Sequence, residues 1–216
     1  MPKIVDHEDR RRLIARAFQE QVAELGFATT TYARVAASAN ISVGLIQHYF
    51  ADRNALIEFA YHDLVQRRDE RIEAGVAAGE KKRWPIRRIL DDVVRELLPL
   101  DEQRRREHRV AHQLQLAAAQ DPHLAALAVG AHEALQQRVV TAVRNGKECG
   151  EVESGVNAPI AAVRIISTVY GLADILSLRT DRQPDRHHQV LDPILATVFT
   201  GECRRSKARL HALAGG

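Results

Sequence analysis

Aromatic residues are scarce in this chain. Phe, Trp and Tyr together make up 5% of its 216 residues. No Asn-Gly or Asp-Gly pair stands between alternating apolar residues to close a hairpin, so the sequence argues against strands. Cysteine is nearly missing too. Cys149 and Cys203 are the only two, far apart and with no Cys-x-x-Cys or Cys/His ligand spacing, so neither a disulfide scaffold nor a zinc site is indicated. Cys149 itself reads in two ways, as an inert thiol or as a redox sensor beside the glycine-flanked segment 145–150. Long apolar runs are absent: no stretch of about 18 uninterrupted apolar residues occurs. The start, Met1-Pro2-Lys3 followed by Asp6, Glu8 and Asp9, has no apolar region of signal-peptide type. The expectation is a cytoplasmic protein with no membrane partner. Nor is there a block of one charge. A net charge of +3 and an isoelectric point near 9.1 are compatible with nucleic-acid binding, yet residues 1–60 hold seven Lys/Arg and seven Asp/Glu. Overall electrostatics therefore identifies no partner, and any phosphate contact must come from local placement.

Helix formers are what the chain has in abundance. With 45% hydrophobic and 27% charged residues, it can bury a sizeable core as one large or two modest domains. Leu13, Ile14, Ala17, Phe18, Val22 and Leu25 make an i, i+3/i+4 stripe that predicts a first helix over 8–25, stopped by Gly26. Thr29, Thr30 and Thr31 offer N-cap hydroxyls to a short second helix whose apolar side is Val35, Ala36 and Ala39. Asn40 accepts a left-handed turn, and Ser42 caps a third helix running to about Tyr49. Asp52 caps a long fourth helix to about residue 79. Further helices are predicted over 84–98, 101–119, 121–145, 157–179 and 184–199. Within the last, Pro193 should kink or restart the helix near Asp192. The fold class is all-α, with about nine helices.

Two short capped helices three residues apart have the spacing of a helix-turn-helix, in which the second helix lies against base edges in the major groove. Ala36 and Ala39 let the helices approach, Ile41 plugs the turn, and Ile46 and Phe50 anchor the second helix inward. Val43, Gly44, Leu45, Gln47, His48 and Tyr49 then fall outward. Arg10, Arg11 and Arg12, with Lys3, read either as a phosphate-touching arm or as a solvated helix start.

Gly26-Phe27, Thr31, Val35-Ala36, Ala39-Asn40-Ile41-Ser42, Gly44-Leu45-Ile46, His48-Tyr49-Phe50 and Leu56 together resemble the signature of the TetR family of transcriptional regulators. The run from Gly44 to Phe50 is most similar to the branch that includes choline-responsive regulators, which does not fix the ligand. The resemblance implies a helix-turn-helix DNA-binding domain over 1–52 and a helical ligand-binding and dimerisation domain over 53–216, with no cofactor. It implies phosphate contacts from Thr31, Tyr49 and Arg53, the last where the family usually has lysine; arginine keeps the charge and adds a planar donor fork. It implies base contacts from Val43, Gly44, Gln47 and His48, with Gln47 able to read adenine bidentately and Val43 able to touch a thymine methyl. Tyr32 and Ser42 complete the implied DNA-binding set. Two departures are Asn40 in place of the usual turn glycine and Ala33, which offers no polar base contact.

Such an architecture implies a homodimer on a two-fold symmetric operator of double-stranded DNA. The helices at about 157–179 and 184–199 suit a four-helix dimer interface, although an intramolecular core would give the same pattern. Val169-Tyr170-Gly171-Leu172 is similar to the segment that such regulators use in dimerisation. An unidentified small-molecule effector would sit in the larger domain, with His112, Gln115, His132, Arg164, Ser167, Tyr170 and Asp174 as candidate polar contacts; Arg164 and Asp174 could equally pair with each other. Repression released by ligand is expected, with activation or corepression left open. A helical-bundle enzyme finds little support: no HExxH, paired ExxH or GxSxG occurs, and Glu107-His108 and His187-His188 lack further partners. A protein-binding scaffold would need an apolar groove where Thr31, Gln47, His48, Tyr49 and Arg53 are polar or basic.

Overall fold

The computed structural model describes residues 7–178 and 186–203. Among these the chain forms α-helices and no strand. They are α1 (His7–Leu25), α2 (Tyr32–Ser38), α3 (Val43–Tyr49), α4 (Arg53–Lys81), α5 (Ile86–Arg95), α6 (Glu102–Ala118), α7 (Pro122–Cys149), α8 (Ala158–Ser177) and α9 (Arg186–Ala196). Lys3 and the basic residues Arg204, Arg205, Lys207 and Arg209 lie outside the described residues.

Side-chain caps set most helix starts. Thr31, Ser42, Asp52, Asp101, Asp121 and Asn157 each accept a hydrogen bond from a backbone N–H of the turn they open, satisfying donors that a helix cannot satisfy itself. Gly26 ends α1 at φ +83°, and Asn40 makes the α2–α3 turn at φ +53°.

Three ends differ from the sequence reading. α5 begins at Ile86, because Pro85 precedes it without a capping side chain. The cap comes from Glu151 instead, which is 2% exposed and accepts from the N–H groups of Ile86 (2.7 Å) and Arg87 (2.9 Å). α7 runs on to Cys149 past Gly146, which is present for packing: a Cβ there would lie 2.6 Å from Val152. Gly150, at φ +92°, supplies the stop. α9 is continuous through Pro193.

The chain divides into two compact units, the first comprising residues up to Arg67 with Asp101–Gly130, the second Arg68–Leu100 with the residues from Ala131 on. This compactness division differs from the boundary read at residue 52. The reason is packing: Leu56, Ile57, Ala60 and Leu64 of α4 share a core with Ile14, Phe18 and Val22 of α1, Ile46 of α3, and Val110 and Leu114 of α6. A polar knot sits beside that core. Gln19 donates to the Ala60 carbonyl at 2.6 Å and to Asp63 at 3.0 Å, while Arg67 donates to Gln19, pairs with Asp63 at 3.1 Å and reaches Glu107 at 3.7 Å. Both Gln19 and Asp63 are buried, so each needs its partners.

The second unit is built on Leu90, Val94 and Leu98, Leu135, Val139 and Val143, Leu191 and Leu195, and the inward side of α8. By length and composition alone α8 could cross a membrane, but Ala161, Ala162, Ile165, Ile166, Val169 and Ala173 are buried in this core. Its opposite side is apolar yet open: Ile160 and Ile175 are each 59% exposed, Val163 47% and Leu178 85%.

Replacing Gln19 by Ala leaves the Asp63 carboxylate buried with one partner fewer. Urea denaturation should show a loss of about 1–3 kcal/mol, whereas Gln47→Ala on the surface should stay within about 0.5 kcal/mol; equal effects would refute the polar knot.

Candidate nucleic-acid interface

The α2–α3 pair is closed by short-range bonds and small residues. The N–H of Ile41 donates to the Ala36 carbonyl at 2.9 Å and that of Asn40 to the Ala37 carbonyl at 3.2 Å. Ile46 is fully buried and Phe50 nearly so. Phe50 packs on Phe59 at 5.6 Å between ring centroids, and the Arg11 guanidinium lies over both rings, 4.1 Å from Phe59 and 5.1 Å from Phe50. Arg11 is thereby drawn to this cluster and to Glu8 at 3.7 Å, while Arg12 is exposed.

With Ile46 and Phe50 held inward, Thr31, Ser42, Gly44, Gln47 and His48 are exposed, and Val43 and Tyr49 are half-buried. The hydroxyls of Thr31 and Ser42 cap α2 and α3. The Tyr49 ring sits between His7 (4.7 Å) and His48 (5.2 Å). At Gly44 the α3 backbone is open: a Cβ there would meet only Ser42 Oγ, at 3.9 Å. Nothing inside the protein requires glycine at this helical position, where it costs about 1 kcal/mol relative to alanine.

Two residues of the expected DNA-binding set are placed differently from the reading. The Tyr32 hydroxyl is secluded from solvent without a hydrogen-bond partner and its ring packs against the first core, so it points away from the open face. Burial first, then the Asp52 carboxylate, raise its phenol pKa, against the opposing pull of Arg53. Arg53 is half-buried and its fork is engaged: Nη1 donates to the Thr30 carbonyl at 2.7 Å and Nη2 to the Phe27 carbonyl at 3.0 Å. Its guanidinium also lies 5.5 Å from the Phe27 ring centroid. Arg53 therefore fixes the loop that presents Thr31. Arg34, not among the expected contacts, is exposed one turn beyond Thr31, on the same side of α2. That i, i+3 spacing was the available signal.

The second unit holds a cavity of about 630 Å³ between α4, α5 and α7. Ile72, Val76, Ile86, Ile89, Leu90, Val93 and Val139 make its apolar wall, with Glu73, Glu80, Gln137, Arg138, Thr141 and Asn145 as polar lining. Arg138 is paired with Asp69 at 3.1 Å and Glu73 at 3.2 Å. None of the seven expected ligand contacts lines this cavity, and the structure does not gather them elsewhere. His112 and Gln115 are exposed on α6 in the first unit. Arg164, Ser167 and Asp174 lie on the open side of α8, where Arg164 donates to Thr197 Oγ1 at 3.3 Å. His132 and Tyr170 do meet, stacked at 5.4 Å, and burial raises the Tyr170 phenol pKa, with Arg68 and Asp69 nearby. Helix phase accounts for the difference: α8 turns Arg164, Ser167 and Asp174 to its open side.

A profile of the BetI-type transcriptional repressor C-terminal domain matches residues 86–200. The chain belongs to the TetR family of transcriptional regulators. Among curated TetR-type relatives, the transcriptional regulator PksA of Bacillus subtilis is 26% identical over 97% of this chain and 99% of its own length. The regulator BetI 1 of Chromohalobacter salexigens is 35% identical over 42% of this chain, a match that spans 46% of that protein. A transcriptional regulator from Rhodococcus superposes with a TM-score of 0.74 at 25% identity, covering 88% of this chain and 96% of that one. A regulator from Saccharomonospora viridis, solved in complex with choline, superposes with a TM-score of 0.76 at 20% identity, covering 87% and 96%. The all-α architecture is that of the TetR family, and the family and these relatives are transcriptional regulators, not enzymes.

In this TetR-family chain Arg53→Lys keeps the charge but cannot reach two carbonyls with one fork. Denaturation should show about 1–2 kcal/mol lost; an unchanged midpoint would mean that the loop before α2 does not depend on the fork.

Proposed function

We propose that this protein is a homodimeric repressor that binds a two-fold symmetric DNA operator and is released by a small-molecule effector. The observation that carries the DNA reading is the open face of α3, where a sterically unneeded glycine at position 44 is flanked by Gln47 and His48 while Ile46 and Phe50 are buried behind. Residues 1–52 form the reading module in this account. Val43, Gly44, Gln47 and His48 meet base edges, and Thr31, Ser42, Tyr49 and Arg34 meet phosphates. Arg53 acts by holding the loop before Thr31. The protein works where its DNA is, in the cytoplasm.

The dimer forms through α8 and α9. Ile160, Val163, Ile175 and Leu178, with Val190 of α9, are exposed large apolar side chains, a grouping that marks a partner surface. Between them on α8 lie Ser167 and Gly171, and a Cβ on Gly171 would touch nothing within 4 Å, leaving room for a facing helix.

The effector enters the cavity between α4, α5 and α7. Its wall favours a ligand with an apolar body and a polar end. Among the described residues no aromatic side chain lines it, so a quaternary ammonium would meet no aromatic face there. α4 carries both Arg53 at its start and the cavity residues Ile72 and Val76. A ligand that prefers one placement of this helix would shift the equilibrium between DNA-competent and released states.

Titration of operator fragments by fluorescence anisotropy tests the DNA reading. Gln47→Ala should change preference at one base position, costing about 1–3 kcal/mol on the best site, while Thr31→Val should weaken all sequences alike and lower the salt slope. If both variants bind like the parent, α3 is not the reading helix. For the dimer, Ile175→Glu should give a folded monomer by sedimentation, and an intact dimer would place the interface elsewhere.

A further inference from the structure

The two cysteines, 54 positions apart in sequence, meet in the second unit. Cys149 ends α7, Gly150 turns the chain, and Glu151 follows. The segment after α9 comes back beside this turn: the Gly201 N–H donates to the Glu151 carbonyl at 3.0 Å, and a Cβ on Gly201 would lie 2.2 Å from the Gly150 carbonyl oxygen. Only glycine allows that approach. Two residues on, Cys203 is placed so that its Sγ, the Cys149 Sγ and a Glu151 carboxylate oxygen all lie within 4.8 Å of one another, each residue buried.

We infer that Cys149, Cys203 and Glu151 form a binding site for a thiophilic divalent cation of the zinc class. Donor chemistry and spacing both fit. A tetrahedral zinc with bonds of about 2.3 Å to sulfur and 2.0 Å to oxygen separates two sulfurs by about 3.8 Å and sulfur from oxygen by about 3.5 Å. The Cys149 Sγ–Glu151 Oε1 separation is 3.2 Å, so small side-chain shifts suffice. Three protein donors leave one tetrahedral position for water.

Charge is conserved in the exchange. Without metal the Cys149 thiol donates to the Glu151 carboxylate. Binding a divalent cation releases two thiol protons to solvent and leaves the same net charge of about −1. That charge already has its support in the N–H groups of Ile86 and Arg87 at the α5 start. A carboxylate has about four lone-pair positions, so Glu151 can hold α5 and a cation together.

A thiol–disulfide switch is the weaker reading of the same pair. It leaves the Glu151 carboxylate, 3.2 Å from Cys149 Sγ, without a part, whereas a cation uses all three groups. The other His/Asp cluster among the described residues, Asp91, His188 and Asp192, is a different case: Arg95 lies 2.6 Å from Asp91 and 2.8 Å from His188 Nδ1, so a guanidinium fills the place of a cation. When bound, zinc would cross-link the end of α7 to the 199–203 segment, beside the α5 residues that open the cavity wall.

Cobalt(II) is the probe. Reduced, chelator-treated full-length protein is titrated with cobalt and then with zinc. The site predicts an intense near-ultraviolet sulfur-to-cobalt band saturating at one ion per chain and bleached by zinc. Cys203→Ser should abolish the band with an unchanged circular dichroism spectrum, and Glu151→Gln should weaken it. No band from folded protein with two free thiols, a band that survives Cys203→Ser, or a native disulfide in place of the thiols would each overturn the assignment.

Discussion

Everything this protein can do with α3 depends on the burial of Ile46 and Phe50. α3 is seven residues long, far too short to be stable alone, and the side-chain cap from Ser42 contributes about 1 kcal/mol. Burying one large apolar side chain is worth about 1.5–3 kcal/mol. The seat formed with Val35, Leu56 and Phe59 therefore dominates. Once it is occupied, the helical period alone decides which residues face out, and these are Gly44, Gln47 and His48. The Arg53 fork then adds position, because it fixes the carbonyls of Phe27 and Thr30 directly before the exposed Thr31.

A comparable node organises the second unit. Glu151 is a buried carboxylate that replaces a missing local cap, and it does so across more than sixty residues of sequence. Without it, the first N–H groups of α5 would be unsatisfied inside the protein, at about 1–3 kcal/mol for each buried donor. The same residue borders both cysteines and the α5 segment that forms part of the cavity wall. α8 shows how one apolar helix serves two ends: its Ala- and Ile-rich inward side completes a core, and its outward side stays unsatisfied until another surface covers it.

How much of this was legible in the sequence follows physical range. Local rules worked. The caps at Thr31, Ser42 and Asp52 and the left-handed Asn40 are readable, because each is set within two or three residues. Contacts at long range were not. Nothing local says that Arg53 reaches back to Phe27, that Glu151 caps α5, or that Cys149 and Cys203 converge; the paired Gly150 and Gly201 were the only hint. The phase of an all-round apolar helix was unreadable for a different reason. Hydrophobicity on both sides removes the contrast that fixes orientation, so Arg164, Ser167 and Asp174 were assigned to a pocket when they lie on the open side. Tyr32 misled because a polar group on an aromatic ring can point either way.

The most direct test is to incubate purified protein with fragmented host DNA at near-physiological salt, recover the bound pieces and sequence them. The account predicts enrichment of a two-fold symmetric motif whose half-sites are spaced for a dimer and which is lost when Gln47 and His48 are both replaced by Ala. A folded protein that enriches no motif, or the same motif after those replacements, would contradict the claim that α3 reads DNA.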